Sequence, residues 1–213
     1  METTENKYDG AKETSRIESF SDAVFAIAIT LLILDIHVPE VKENETLLKS
    51  LANEWASILA LLIGFFTILI CWINHHFMFQ MIHKSNGMLL LINGFKLLVV
   101  TVTPFVTSVL SKYIQTDWKE TAVNIYCFNF ALMGIAMTAI WCYAYKKGFA
   151  KASSGKILEA TKRLYIFAGT FSTIIWIVSF FNIMACLILS GVMFIFFISP
   201  KQTVNWLVKR SKQ

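Results

Sequence analysis

Charge is scarce in this chain. Asp, Glu, Lys and Arg make up only 15% of its 213 residues, where a soluble domain carries about 25%. An ordinary water-soluble domain is therefore excluded. Proline and glycine are scarce as well, with three and nine copies, which leaves little to interrupt long helices. The four cysteines, Cys71, Cys127, Cys142 and Cys186, stand singly in apolar stretches. No CxxC or Cys/His spacing joins them, so neither a disulfide framework nor a zinc site is supported. They read as small buried hydrophobes, and neither a metal nor a cofactor is expected. No internal repeat at a period of about 20–50 residues is visible, which speaks against an inverted-repeat transporter.

What the chain has instead is apolar surface: 56% of it is hydrophobic, with 18 Phe and six Trp. The expected fold is an all-α integral membrane protein, one domain over residues 1–213, with six transmembrane helices. Their expected spans are 16–38, 55–79, 88–110, 121–145, 164–181 and 183–199. Ser15-x-x-Glu18 fits a capping box that starts the first span, and Pro39 ends it. Residues 1–18 are studded with charge and hold no apolar region ahead of that span, so no cleavable signal is expected. Lys96 and Pro104 interrupt the third span, Asn182 divides the fifth from the sixth, and Pro200 opens a basic tail.

The net charge of +5 would suit a nucleic-acid partner only if it formed a basic face. Its placement follows membrane topology instead. The N-terminal segment, the second and fourth links and the tail hold fourteen Lys and Arg, from Lys7 and Lys12 to Lys212. The other side holds four, Lys42, Lys49, Lys112 and Lys119. By the positive-inside rule both termini are cytoplasmic. No nucleic-acid partner is expected. Membrane lipids are, with the basic link at 146–163 and the tail near anionic headgroups.

The first span is ill suited to lipid. Its uncharged interval, Ala23 to Leu34, is twelve residues long, short of the roughly 20 needed to cross the hydrocarbon core. Asp22 and Asp35 close it at either end. Intramembrane carboxylates face a bundle interior or a water-filled cavity, so this helix is expected to be buried in protein or to line water. With Ile27 at zero on a wheel of about 100° per residue, Leu31 falls near +40°, Leu34 near −20° and Thr30 near −60°. Ile27, Leu31 and Leu34 form one apolar stripe with a hydroxyl at its shoulder. Ordinary packing is the commoner meaning of such a stripe. Copies around a rotation axis would instead stack it into apolar rings, a constriction that gates by dewetting. Ser21 and Asp22 point off the stripe and need donors, for which Trp72, His75, His76 and Lys96 are available. Arg16 lies about 120° from Asp22 around the axis, which disfavours an intrahelical pair. Lys96 is expected to snorkel to the cytoplasmic interface. Asp35 is either a solvated cap or, in an assembly of copies, part of a carboxylate ring that concentrates cations.

Arg16-x-x-x-Phe20-Ser21-Asp22 followed by AVFAIAITLLILDIHVPE resembles the signature first helix of the transmembrane protein 175 family, in its bacterial form. Six spans, the Trp72…His75/His76 region and a proline near the end of the third span support the likeness. The resemblance implies a potassium-permeable channel in the bacterial plasma membrane, a homotetramer whose first helices line a central pore, with monovalent cations as cargo. Carried over by motif spacing, Ile27 is the principal constriction, Leu31 and Leu34 the next rings outward, and Thr30 the hydroxyl associated with selectivity. Arg16, Phe20, Ser21, Asp22, Trp72 and His75 become structural organisers. The carried-over positions coincide with the stripe, which turns the reading from packing to pore. The TVGYG filter of ordinary potassium channels is absent, so selectivity for potassium over sodium must come from side chains and is expected to be modest.

Two other readings start from the same residues. Asp22, His75 and Lys96 would serve a proton-coupled transporter. Ser21, Asp22 and His75 would serve a membrane-embedded hydrolase, although no oxyanion-type glycine loop is present; an enzyme is not expected.

Overall fold

The computed structural model of the chain describes residues 14–36, 38–40 and 46–210. Lys7, Lys12, Lys42, Lys212 and the side chain of Asp35 lie outside the described residues. The described chain is helical: α1 (Ser15–Leu31), α2 (Leu47–Asn53), α3 (Trp55–Met81), α4 (Gly87–Tyr113), α5 (Lys119–Lys146), α6 (Gly155–Ser179), α7 (Ile183–Phe197) and α8 (Pro200–Arg210). Four segments are long and apolar enough to cross a membrane: Ser15–Leu34, Trp55–Met81, Gly87–Tyr113 and Lys119–Lys146. A fifth is added if α7 and α8, bent by 82° at their junction, count as one broken span. The first half of α6 carries Lys156, Glu159, Lys162 and Arg163, and α7 is 15 residues long.

Several expected boundaries move, each for a local reason. The first helix does not run to Val38. Its α-helical part ends at Leu31, a 3₁₀ turn covers Leu32–Asp35, and Ile36 is already extended. The start shifts as well. Ser15 is the first helical residue and Thr14 precedes it. The buried Thr14 Oγ1 lies 2.8 Å from Glu18 Oε1 and 3.0 Å from Ile82 O, so the polar contact at this end comes from Thr14 rather than from a Ser15 capping box. The acidic stretch before α3 contains α2, whose N-cap Thr46 accepts from Lys49 N at 3.4 Å. At the other end, α6 begins at Gly155 rather than 164, and the tail beyond Pro200 is the helix α8. Proline is tolerated in a first helical turn because its missing N–H would be unbonded there anyway.

Pro104 does not break α4. It removes one backbone donor, and threonines on either side occupy carbonyls of the same stretch. Thr103 Oγ1 donates to Val99 O at 3.2 Å and Thr107 Oγ1 to Thr103 O at 2.8 Å. Asn129 of α5 donates to Thr103 Oγ1 at 3.0 Å, which ties the two helices together there.

The links gather at one end of the bundle. Gly148 ends α5 with φ of +67°, a left-handed turn that only glycine adopts without strain. It turns the chain so that Lys151 N donates to Met81 O at 2.8 Å and His83 N to Phe149 O at 2.9 Å. The α3–α4 link, the α5–α6 link and the start of α1 therefore meet at Ile82, as the alternating charge pattern requires of segments on one side.

α5 and α6 approach through small residues. A Cβ on Gly134 would overlap Ser172 Oγ and stand 3.1 Å from Ala168 O, and one on Gly169 would crowd Thr138. Gly134→Val is expected to lower stability by about 1–3 kcal/mol, the usual cost of overpacking. Thermal denaturation in detergent measures it, and an unchanged midpoint would show that the helices have room to part.

Candidate functional site: the first helix and its cradle

α1 is amphipathic in a membrane sense, with one face held by protein and one left uncovered. Ile17, Ser21, Phe25, Ala28 and Leu32 recur at helical spacing and are buried against α3 and α4. Phe25 is only 1% exposed. On the wheel these positions centre about 120° from Ile27, so the buried face and the apolar stripe are separate surfaces.

The buried face is pinned by a chain of polar contacts. Ser21 Oγ donates to Ile17 O at 2.7 Å and accepts from Asn93 Nδ2 of α4 at 3.0 Å. Asn93 Oδ1 lies 3.2 Å from His75 Nε2 of α3. Because the Asn93 amide nitrogen faces Ser21, its oxygen is the acceptor toward His75, which assigns the proton to Nε2 of the imidazole. The His75 ring stands between Phe25 (5.5 Å) and Phe79 (4.4 Å). One buried relay thus joins α1, α3 and α4. Asp22 lies at the rim: Trp72 Nε1 donates to its Oδ1 at 2.9 Å, and the indole stacks on His76 with centroids 5.9 Å apart. His76 is exposed and pairs with Gln80 at 3.1 Å. Phe20 and Arg16 are exposed at the same end.

Lys96 corrects an expectation. It does not snorkel to an interface but is fully buried, with Nζ 4.3 Å from the centroid of the Phe25 ring. Its stem points into the α1–α4 contact, where the ring face takes the ammonium end as a cation–π contact. No hydrogen-bond partner of Nζ occurs among the described residues.

Of the four donors considered for Ser21 and Asp22, Trp72 reaches Asp22, whereas Ser21 is served by Asn93. The sequence reading passed over that residue. The available signal was an amide three residues before Lys96 in an otherwise apolar run, hence on the same face of α4. The relay also separates groups that other chemistries need together. Asn93 stands between Ser21 and His75, so no serine–histidine pair forms. Asp22 is bonded by Trp72 and His75 by Asn93, while Lys96 shares the Phe25 ring with His75 but makes no hydrogen bond to either group among the described residues. Among the described residues no three His, Cys, Asp or Glu side chains gather to hold a metal.

The opposite face is open. Ile27 is 60%, Leu31 39% and Leu34 70% exposed in the single subunit, and Thr30 is exposed between them. Thr30 Oγ1 lies 2.9 Å from Ile27 O and 3.1 Å from Ala26 O. Its proton is committed to the helix backbone, which leaves oxygen lone pairs to face outward.

The crystal structure of a lysosomal potassium-selective channel TMEM175 homolog from Chamaesiphon minutus superposes with a TM-score of 0.79 at 34% identity, covering 88% of this chain and 97% of that one. The chain belongs to the TMEM175 family. The family profile described as endosomal/lysosomal potassium channel TMEM175 matches residues 16–104, the stretch that carries α1, α3 and most of α4. A potassium channel of Chamaesiphon minutus is 42% identical over 134 residues, 62% of this chain and 66% of its own. A potassium channel of Streptomyces collinus is 37% identical over 137 residues, 64% of this chain and 66% of its own. The matched stretch is thus just short of two thirds of either relative. The human endosomal/lysosomal proton channel TMEM175 is 31% identical over 138 residues, covering 27% of that longer protein. TMEM175 proteins are channels rather than enzymes, and their names divide between potassium for the bacterial members and proton for the vertebrate ones.

Proposed function

We propose that this chain is a passive, potassium-permeable channel of the TMEM175 family, assembled as a homotetramer of six-span subunits whose α1 helices surround the pore. The observation that carries this reading is the uncovered stripe on α1. Ile27 and Leu34 are largely exposed and Leu31 partly so in the single subunit, while the opposite face is locked by the Ser21–Asn93–His75 relay. A pore-lining helix needs both properties, a free face toward the axis and a rigid back. Four copies of Ile27, Leu31 and Leu34 then form apolar rings spaced by about 6 Å, four residues at the α-helical rise and three at the 3₁₀ rise, apolar enough to gate by dewetting.

Thr30 supplies the hydroxyl that discriminates between ions. Its outward lone pairs replace part of the hydration shell, and potassium, which sheds water more easily than sodium, gains from them. Arg16, Phe20, Asp22 and Trp72 orient the cytoplasmic ends of the helices, and both termini face the cytoplasm of a bacterial plasma membrane, with anionic lipid near the basic links. No resident cofactor takes part.

The test is flux through purified protein in liposomes, with single-channel recording under potassium and sodium gradients. Unitary current steps that reverse near the potassium potential support the reading, whereas saturable uptake driven by a pH gradient without such steps would favour proton-coupled transport. Thr30→Ala is expected to lower the potassium/sodium permeability ratio about threefold and to change total potassium current less than that, the difference of one weak polar contact per subunit. Reversal potentials measure it, and an unchanged ratio removes Thr30 from selectivity.

A further inference from the structure

The crevice between α3, α5, α6 and α7 holds an unspent hydrogen-bond acceptor. Its cavity has a volume of about 50 Å³, and its wall includes Thr67, Cys71, Asn74, Met133, Tyr165 and Met193. No Asp, Glu, Lys, Arg or His lines it. Asn74 Nδ2 donates to Ile70 O at 2.8 Å and to Phe197 O at 2.7 Å. Both neighbours are acceptors, so the nitrogen end of the amide is fixed and both of its protons are used. The buried Asn74 Oδ1 is left without a partner among the described residues. The other polar groups of the wall are engaged: Tyr165 Oη donates to Asn74 O at 3.0 Å, and the Thr67 hydroxyl is shared between Ile63 O and Tyr126 Oη.

We propose that this crevice binds a small neutral amphiphile whose single hydroxyl donates to Asn74 Oδ1 and whose apolar body lies among the methionines. Absence of lining charge sets the ligand's neutrality. The orphan acceptor sets its one donor, because an unpaired buried carbonyl gains what the ligand supplies. The volume accommodates roughly four water-sized positions, which corresponds to an alcohol of about three carbons. Methionine side chains adapt to such a guest without a fixed shape. Asn74 and His75 are consecutive on α3 and point about 100° apart, one to the crevice and the other to the relay that grips α1. Occupancy therefore bears on the turn of α3 that positions the proposed pore helix. That coupling rests on the channel reading; the binding does not.

The test uses the full-length protein in detergent with Cys127, Cys142 and Cys186 replaced by alanine, leaving Cys71 in the crevice wall. Methyl methanethiosulfonate modification of Cys71 is followed by intact mass. Propan-1-ol is expected to slow modification saturably, by about fivefold. Asn74→Leu, which removes the acceptor, is expected to weaken that protection about fivefold while leaving protection by 1-chloropropane, of similar size but with no donor, unchanged. Met193→Phe, which narrows the crevice and keeps Asn74, is expected to weaken protection by both. Equal propan-1-ol protection in wild type and Asn74→Leu overturns the proposal. So does protection that fails to saturate, which would mean a water-filled cavity only, and so does a Cys71 that the reagent never reaches. In liposomes, propan-1-ol is expected to change potassium flux about twofold in the wild type and not in Met193→Phe. Saturable protection with unaltered flux in both would overturn the coupling to α1.

Discussion

Ile27→Asn is expected to raise resting potassium flux through reconstituted protein by about 100-fold, equivalent to about 2.7 kcal/mol off the barrier. The reason lies in the geometry of the stripe. Ile27 projects from the exposed face of α1, and in the proposed tetramer a ring of four subunits would repeat each substitution four times. An isoleucine side chain prefers a dry surrounding by about 2 kcal/mol, so four of them disfavour a continuous water column strongly enough to set the rate. Four amides at the same level would wet the constriction. Liposome flux measures the effect, with Ile17→Leu as a variant on the buried face that is expected to leave resting flux within about twofold. Equal flux for wild type and Ile27→Asn would remove Ile27 from the ion path.

Asn93→Leu is expected to destabilise the subunit by about 2–3 kcal/mol, because it leaves the buried His75 Nε2–H without an acceptor and takes a donor from Ser21. For a chain of this length that corresponds to a fall of about 4–12 °C in the denaturation midpoint. Adding His75→Phe is expected to recover at least half of the loss. The ring between Phe25 and Phe79 fits an apolar aromatic, and removing both members of a buried polar pair costs less than orphaning one. A double variant no more stable than Asn93→Leu alone would mean that the histidine does more than donate to Asn93. Flux in Asn93→Leu is a second readout. If the relay sets the angle of α1, the potassium/sodium ratio shifts even where folded protein is recovered in normal yield.

Much of the fold was legible because membrane insertion imposes simple rules. A backbone in hydrocarbon must satisfy its own hydrogen bonds, so apolar length announces helices, and α3, α4 and α5 begin and end within three residues of the expected bounds. Boundaries set by local polar contacts were less legible. Thr14 displaced Ser15 at the start of α1 through a contact to Ile82, 68 residues away, and no local pattern encodes such a partner. The bend of 82° before α8 likewise depends on where α7 leaves the bundle. Near the candidate site, the stripe of Ile27, Thr30, Leu31 and Leu34 could be drawn from helical spacing alone. Lys96 could not be placed that way, because a lysine at that depth snorkels or buries according to whether an aromatic face stands over it.

The sequence by itself determined an all-helical membrane protein, the charge alternation of its links and the two faces of the first helix, because these follow from composition and a period of about 3.6 residues. Only the tertiary structure decided which side chains hold that helix. Ser21 meets His75 through Asn93, Asp22 takes Trp72, and Lys96 closes over Phe25, each a contact between helices distant in the chain. Hydrogen-bond partners across a bundle depend on how helices rotate and cross, and that is set by the packing of all of them together.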